Sequence, residues 1–202
     1  MAIAAAADII VLAVKPQVIA AVAKQMDADL SGKLILSIAA GVTIASLENI
    51  VGPVASARTM PNTPSLVMTG ATGLYANETV ETSERKAVEA IFTAIGVAVW
   101  VEDEEDLHSV TATSGSAPAY FFRFMEAMQK AAEDAGLDAD TAQRLIVQTA
   151  MGAARMVEQT GETPAQLRKK VCSPKGTTEQ AIFSFERDDI DAGVARAMQA
   201  CM

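Results

Sequence analysis

The stretch DIIVLAVKPQVIAAVAKQMDADLSGKLILSIAA (8–40) holds two short aliphatic runs, 8–14 and 33–40, either side of a segment, 17–27, whose apolar residues recur at spacings of three and four. Short aliphatic runs read as strands and a spacing of three and four reads as an amphipathic helix, so the stretch predicts strand, helix, strand. Downstream, ASARTM (55–60), TGLYA (72–76) and VAVWV (97–101) repeat the strand texture, with helical patterns over 43–50 and 81–95 between them. Thr82-Ser83-Glu84 supplies a helix start for the last. Strands alternating with helices predict an α/β layer on a largely parallel sheet. Upstream, MAIAAAADIIVLAVKPQ is expected to be one buried strand rather than a leader or anchor. It lacks a charged leading segment, carries Asp8 and meets Lys15-Pro16 too early to span a bilayer.

After the acidic run VEDEED (101–106) the texture changes to long Ala, Met, Gln and Arg segments of helical period. Gly136, Gly161 with Pro164, and the loop 171–177 divide them into helices over 116–135 and 140–160, a third before the loop, and a terminal pair near 177–187 and 189–201. The fold class expected is therefore α/β followed by all-α, with domains 1–102 and 103–202. The helix 116–135 is apolar on more than one side, which predicts burial against a second copy.

Composition narrows the function. The 202 residues are half apolar, enough for a core, and carry a net charge of −9 with pI near 4.6. Nucleic acid or an anionic membrane would need a clustered basic face, and Arg168-Lys169-Lys170 is too short to be one. Two cysteines, Cys172 and Cys201, suit a reducing cytoplasm, and with one histidine, His108, the composition argues against a structural zinc site. His108 reads as a solvated helix residue, Cys172 as an unactivated thiol, and the acidic run as mostly a solvated turn. Met125, Met128, Met151, Met156 and Met198, at helical spacing, read as core or interface.

Four segments carry chemistry. In SPKGTT (173–178), Pro174 and Gly176 make a tight turn and Thr177-Thr178-Glu179 a helix start, either an ordinary cap or a seat for a carboxylate on free amides of Gly176, Thr177 and Thr178 beside the Ser173 hydroxyl. AVKPQ (13–17) ends a strand at the carboxyl edge of the sheet, where ligands of α/β proteins sit. RTMPNTP (58–64) leaves a strand through two prolines, and SGSAPAY (114–120) opens a helix.

Taken in order, V-K-P, S-I-A-A-G-V, M-P-N-T-P, S-G-S-x-P-A-Y and S-P-x-G-T-T resemble the pyrroline-5-carboxylate reductase family, from about residue 8 to the end. The resemblance implies an NADP(H)- or NAD(H)-dependent oxidoreductase, without metal, that closes proline biosynthesis by reducing 1-pyrroline-5-carboxylate to L-proline. It implies an incomplete Rossmann-like nucleotide domain followed by a helical dimerisation domain, assembled as a homodimer or a ring of dimers. Ser173, Gly176, Thr177 and Thr178 would bind substrate, with Thr178 at the imine nitrogen as the catalytic group and Glu104 approaching from before the S-G-S motif. Ala13, Val14, Lys15, Pro16, Ala39 and Ala40 would line the nicotinamide, with Pro61 and Asn62 closing that wall.

Three departures stand out. Lys175 replaces the usual first glycine of S-P-G-G, which requires that this position not be left-handed. Ala117 replaces Gly or Ser. No G-x-G-x-x-G occurs, so the chain is expected to start partway through the nucleotide domain and to hold the dinucleotide weakly. The alternative expectation is an inactive homologue that binds a small carboxylate or pairs with another subunit.

Overall fold

The computed structural model describes residues 2–26 and 29–202, and divides by its contacts into one unit of Met1–Pro118 with Cys201–Met202 and another of Ala119–Ala200. The first unit is Rossmann-like. Strands β1 (Ile9–Leu12), β2 (Leu34–Ser37), β3 (Ala55–Met60), β4 (Gly70–Ala76) and β5 (Gly96–Trp100) lie in that order in one sheet. All pairs are parallel except the β3–β4 pair, which is antiparallel.

The opening does not form one buried strand. Ala2–Ala6 makes a short helix, α1, and β1 is an edge strand with Val11 half exposed. Alanine has the highest helix propensity, and a strand at the end of the order is covered on one side only. The Lys33 ammonium donates to the carbonyls of Ala5 and Ala7 (3.0 and 2.7 Å), a cation at the carbonyl end of that helix.

Helices α2 (Ile19–Gln25) and α3 (Ile44–Val51) connect the parallel strands β1, β2 and β3. Residue 27, the last of the helix expected over 17–27, lies outside the described residues. Helix α4 (Thr82–Thr93) connects β4 to β5 and opens with a reciprocal capping box between Glu81 and Glu84. The interior strand β2 alternates its side chains between two cores. Leu34 and Leu36 pack with Leu74, Val88 and Phe92, while Ile35 packs with Leu12, Ile19 and Leu47. Each such aliphatic side chain contributes about 1.5–3 kcal/mol by leaving water, so β2 anchors the layer.

The strands stop at Trp100, where the sequence texture changes, yet the first unit continues to Pro118. Its continuation, α5 (Asp106–Val110) and a π-helical turn (Thr111–Gly115), packs on β4. Gly73 permits this, because a Cβ there would lie 2.6 Å from a Val110 methyl.

The second unit is helical: α6 (Ala117–Asp134, its first two residues grouped with the first unit), α7 (Ala139–Thr160), α8 (Pro164–Val171), α9 (Thr177–Arg187) and α10 (Ile190–Gln199). Its core is thin. Among the described residues α8, α9 and α10 contain no buried side chain, whereas Phe121 and Phe122 are 66% and 62% exposed. No helix among the described residues is long and apolar enough to cross a membrane.

Candidate active site

In the first unit, the eight residues expected to line the cofactor collect at one edge of the sheet. β1, β2 and β3 are parallel, so the segments that leave them, 13–16, 38–43 and 61–62, emerge at the same carboxyl end. Ala13, Lys15, Pro16 and Ala40 are exposed there, Val14 is half-buried, and Ala39 is buried with its amide donating to the Ser37 hydroxyl (3.3 Å). Two exposed alanines and a proline, with Ala39 buried beneath them, leave a small-residue ledge of the kind a flat ring can lie against.

Pro61 and Asn62 are half-buried, and the Asn62 side chain is occupied at both ends. Its Oδ1 accepts from the Ala71 amide (2.9 Å) and its Nδ2 donates to the Ser114 carbonyl (3.1 Å). Asn62 therefore ties the end of β3 to β4 and to the π-helical turn.

Glu104 is part of the same frame. Its Oε1 accepts from Arg58 Nη1 and from the Ile44 amide, both at 2.7 Å. The acidic run is thus not wholly solvated: the Glu104 side chain is 22% exposed and its partner, Arg58, 8%. Sequence reading passed over Arg58, although an arginine inside a short apolar strand signals a buried charge that requires a partner. His108, half exposed, lies 3.6 Å from the exposed Glu105.

In the second unit, Ser173–Gly176 form the turn that opens α9. Gly176 is the residue before the helix, with no side chain capping it. Its amide donates to the Ser173 carbonyl (2.9 Å), so the turn consumes one of the three amides expected to face a ligand. Glycine is required for space, since a Cβ there would lie 2.9 Å from that carbonyl. The amides of Thr177 and Thr178 have no partner among the described residues, and Ser173, Thr177 and Thr178 are exposed. Unspent amides at a helix start attract anions.

Lys175 corrects an expectation. Its φ is 61°, in the left-handed region that its replacement of glycine was expected to rule out. The Glu179 carboxylate reaches back to accept from the Lys175 amide (2.8 Å), which offsets the backbone cost. Among the described residues no group of three or more His, Cys, Asp or Glu is arranged to hold a metal ion.

Residues 104–202 match the family model described as pyrroline-5-carboxylate reductase dimerisation, and residues 2–41 that of NADP oxidoreductase, coenzyme F420-dependent. Pyrroline-5-carboxylate reductase of Pseudomonas aeruginosa is 48% identical over 196 residues, covering 96% of this chain and 72% of the relative. The Escherichia coli K12 protein of the same name is 41% identical over 202 residues, covering 99% and 75%. Among solved structures, a pyrroline-5-carboxylate reductase from Coxiella burnetii superposes with a TM-score of 0.93 at 44% identity, over 98% of this chain and 74% of that one. The Plasmodium falciparum pyrroline carboxylate reductase with NADP bound gives 0.89 at 34% identity, over 98% and 76%.

Proposed function

The chain belongs to the pyrroline-5-carboxylate reductase family, and from that membership we propose that it reduces 1-pyrroline-5-carboxylate to L-proline with NAD(P)H, the last step of proline biosynthesis. The observation that carries this reading is the start of α9, where two unspent amides lie beside the exposed hydroxyls of Ser173 and Thr178. In this reading residues 1–102 belong to the nucleotide domain and 103–202 form the domain for substrate binding and dimerisation.

The ledge at the carboxyl edge of β1, β2 and β3 fits the nicotinamide end of the cofactor, because Ala13, Ala39 and Ala40 are small and a flat ring needs no deep pocket. Val14, Lys15 and Pro16 complete that ledge, with Pro61 behind it and Asn62 fixing the loop. The bound nicotinamide supplies the hydride. The protein binds and orients: amides of Thr177 and Thr178 and the Ser173 hydroxyl hold the substrate carboxylate, and the Thr178 hydroxyl hydrogen-bonds the ring nitrogen. Gly176 contributes the space that lets the turn close. Glu104, with one oxygen committed to Arg58 and Ile44, supports the ledge as part of its frame.

The reading further assigns a homodimer through the helical domain, able to build into a ring of dimers, in the cytoplasm, where Cys172 and Cys201 remain reduced.

Variants of the α9 turn test this reading. Thr178→Val keeps size and shape but removes the hydroxyl, and should cost about 2–4 kcal/mol of transition-state stabilisation, mainly in kcat. Thr178→Ser should retain most activity. Ser173→Ala loses a contact to a carboxylate that stays charged throughout, so it should chiefly raise KM for the imine. Steady-state kinetics in which Thr178→Val equals the wild type would return the turn to an ordinary helix cap.

A further inference from the structure

Arg58 is the only buried charged residue among those described. A buried guanidinium without a partner is costly by several kcal/mol, so its position in β3 demands a carboxylate. Glu104 provides it from the bend between β5 and α5, 46 residues away in sequence.

The same oxygen accepts from the amide of Ile44, the first residue of α3. The Thr43 hydroxyl caps only the Ser46 amide (3.1 Å), so the Glu104 carboxylate satisfies a helix-start donor that Thr43 does not reach. Immediately before Ile44 runs the turn 38–43, which contains Ala39 and Ala40. Three segments that are distant in sequence therefore meet at one oxygen: β3, the turn that opens α3, and the bend before α5. Both short bonds are charge-assisted, the strong kind of hydrogen bond, and they lie where the side chains are largely shielded from water.

We propose that the Arg58–Glu104 pair is a positioning device for the nicotinamide wall. It holds Ala39 and Ala40 in register with the exit of β3, much as Asn62 holds the following loop, and Glu104 acts through the backbone it grips instead of touching substrate. The inference rests on the assignment of residues 39–40 to the cofactor.

The test compares the wild-type chain with Glu104→Gln by titrating NADPH, by KM for 1-pyrroline-5-carboxylate, and by hydrogen exchange of the segment 39–44. Glutamine still offers an oxygen to Ile44 but strips Arg58 of its counter-charge. Nucleotide Kd should rise about tenfold and exchange of 39–44 should quicken by a similar factor, while KM for the imine stays within about twofold. A raised KM with unchanged nucleotide Kd would make Glu104 a substrate contact and overturn the proposal. A lowered melting temperature with unchanged Kd and exchange would reduce the pair to a stabilising contact, and would overturn it equally.

Should Glu104→Gln fail to fold, Arg58→Met combined with Glu104→Met removes both charges, a replacement that folded proteins tolerate. This double variant should fold yet show the same weakened Kd and fast exchange, and a wild-type Kd in it would refute the device. A wild type that binds NADPH but turns over no imine would count against the proposed reaction alone, because nucleotide Kd and exchange still decide the role of the pair.

Discussion

Lys175 sits at φ 61°, where a side chain with a Cβ crowds its own backbone. Left-handed backbone costs an L-residue about 1–2 kcal/mol, part of which glycine would forfeit through its freer unfolded chain. Lys175→Gly should therefore raise stability by about 0.5–1 kcal/mol, read as a higher thermal midpoint, provided that the Glu179 carboxylate keeps its bond to the amide at 175. A lower midpoint would mean that the lysine side chain contributes more than its backbone costs. The residue types of this turn were legible from sequence: Pro174 and Gly176 signal the turn, and Thr177-Thr178-Glu179 the helix. The destination of each amide was not legible. That the Gly176 amide goes to Ser173 follows from the turn's closure, and the left-handed backbone of Lys175 comes with a bond from its amide to Glu179, four residues on. The pair Arg58 and Glu104 was hidden for another reason, since nothing local to either residue names a partner 46 positions away.

Helix α7 shows how a single cap governs an element. The Asp138 carboxylate accepts from the Thr141 amide (3.0 Å), and its pKa is lowered first by its hydrogen bond to Thr141. A lowered folded-state pKa makes the carboxylate's contribution fully present above the unfolded value and lost as pH falls through the folded one. Asp138→Ala should accordingly lower the thermal midpoint at neutral pH, and the gap from wild type should close in acid as the native carboxylate protonates. A gap constant from neutral pH down into the carboxylate titration range would contradict that assignment. At this scale the sequence was most transparent. Strand β3 was expected over 55–60 and runs Ala55–Met60, and the helix expected over 177–187 runs Thr177–Arg187. The failure was at the start, where a run of apolar residues is ambiguous between strand and helix and the alanines decide for α1.

The whole molecule leaves much apolar surface uncovered in its helical unit. Phe121, Phe122, Phe124, Leu145, Met151 and Met156 are all exposed, on helices whose period in the sequence is apolar beyond one face. Soluble monomers seldom leave so many large apolar side chains exposed, and the match of residues 104–202 to a dimerisation family accounts for it. Light scattering at micromolar protein should give a mass of at least twice the 21.1 kDa chain, and a monomer there would contradict the helical domain's assigned role. The proposed reaction requires the chain to take both the nucleotide and the imine, so its product reports on the central claim directly. The most direct test supplies 1-pyrroline-5-carboxylate and saturating NADPH, or NADH, deuterated on the transferred face at C4 of the nicotinamide, and analyses the proline by mass spectrometry. The account predicts L-proline carrying a single deuterium at C5, formed in proportion to nucleotide oxidised; folded chain that yields no labelled proline with either nucleotide would contradict it.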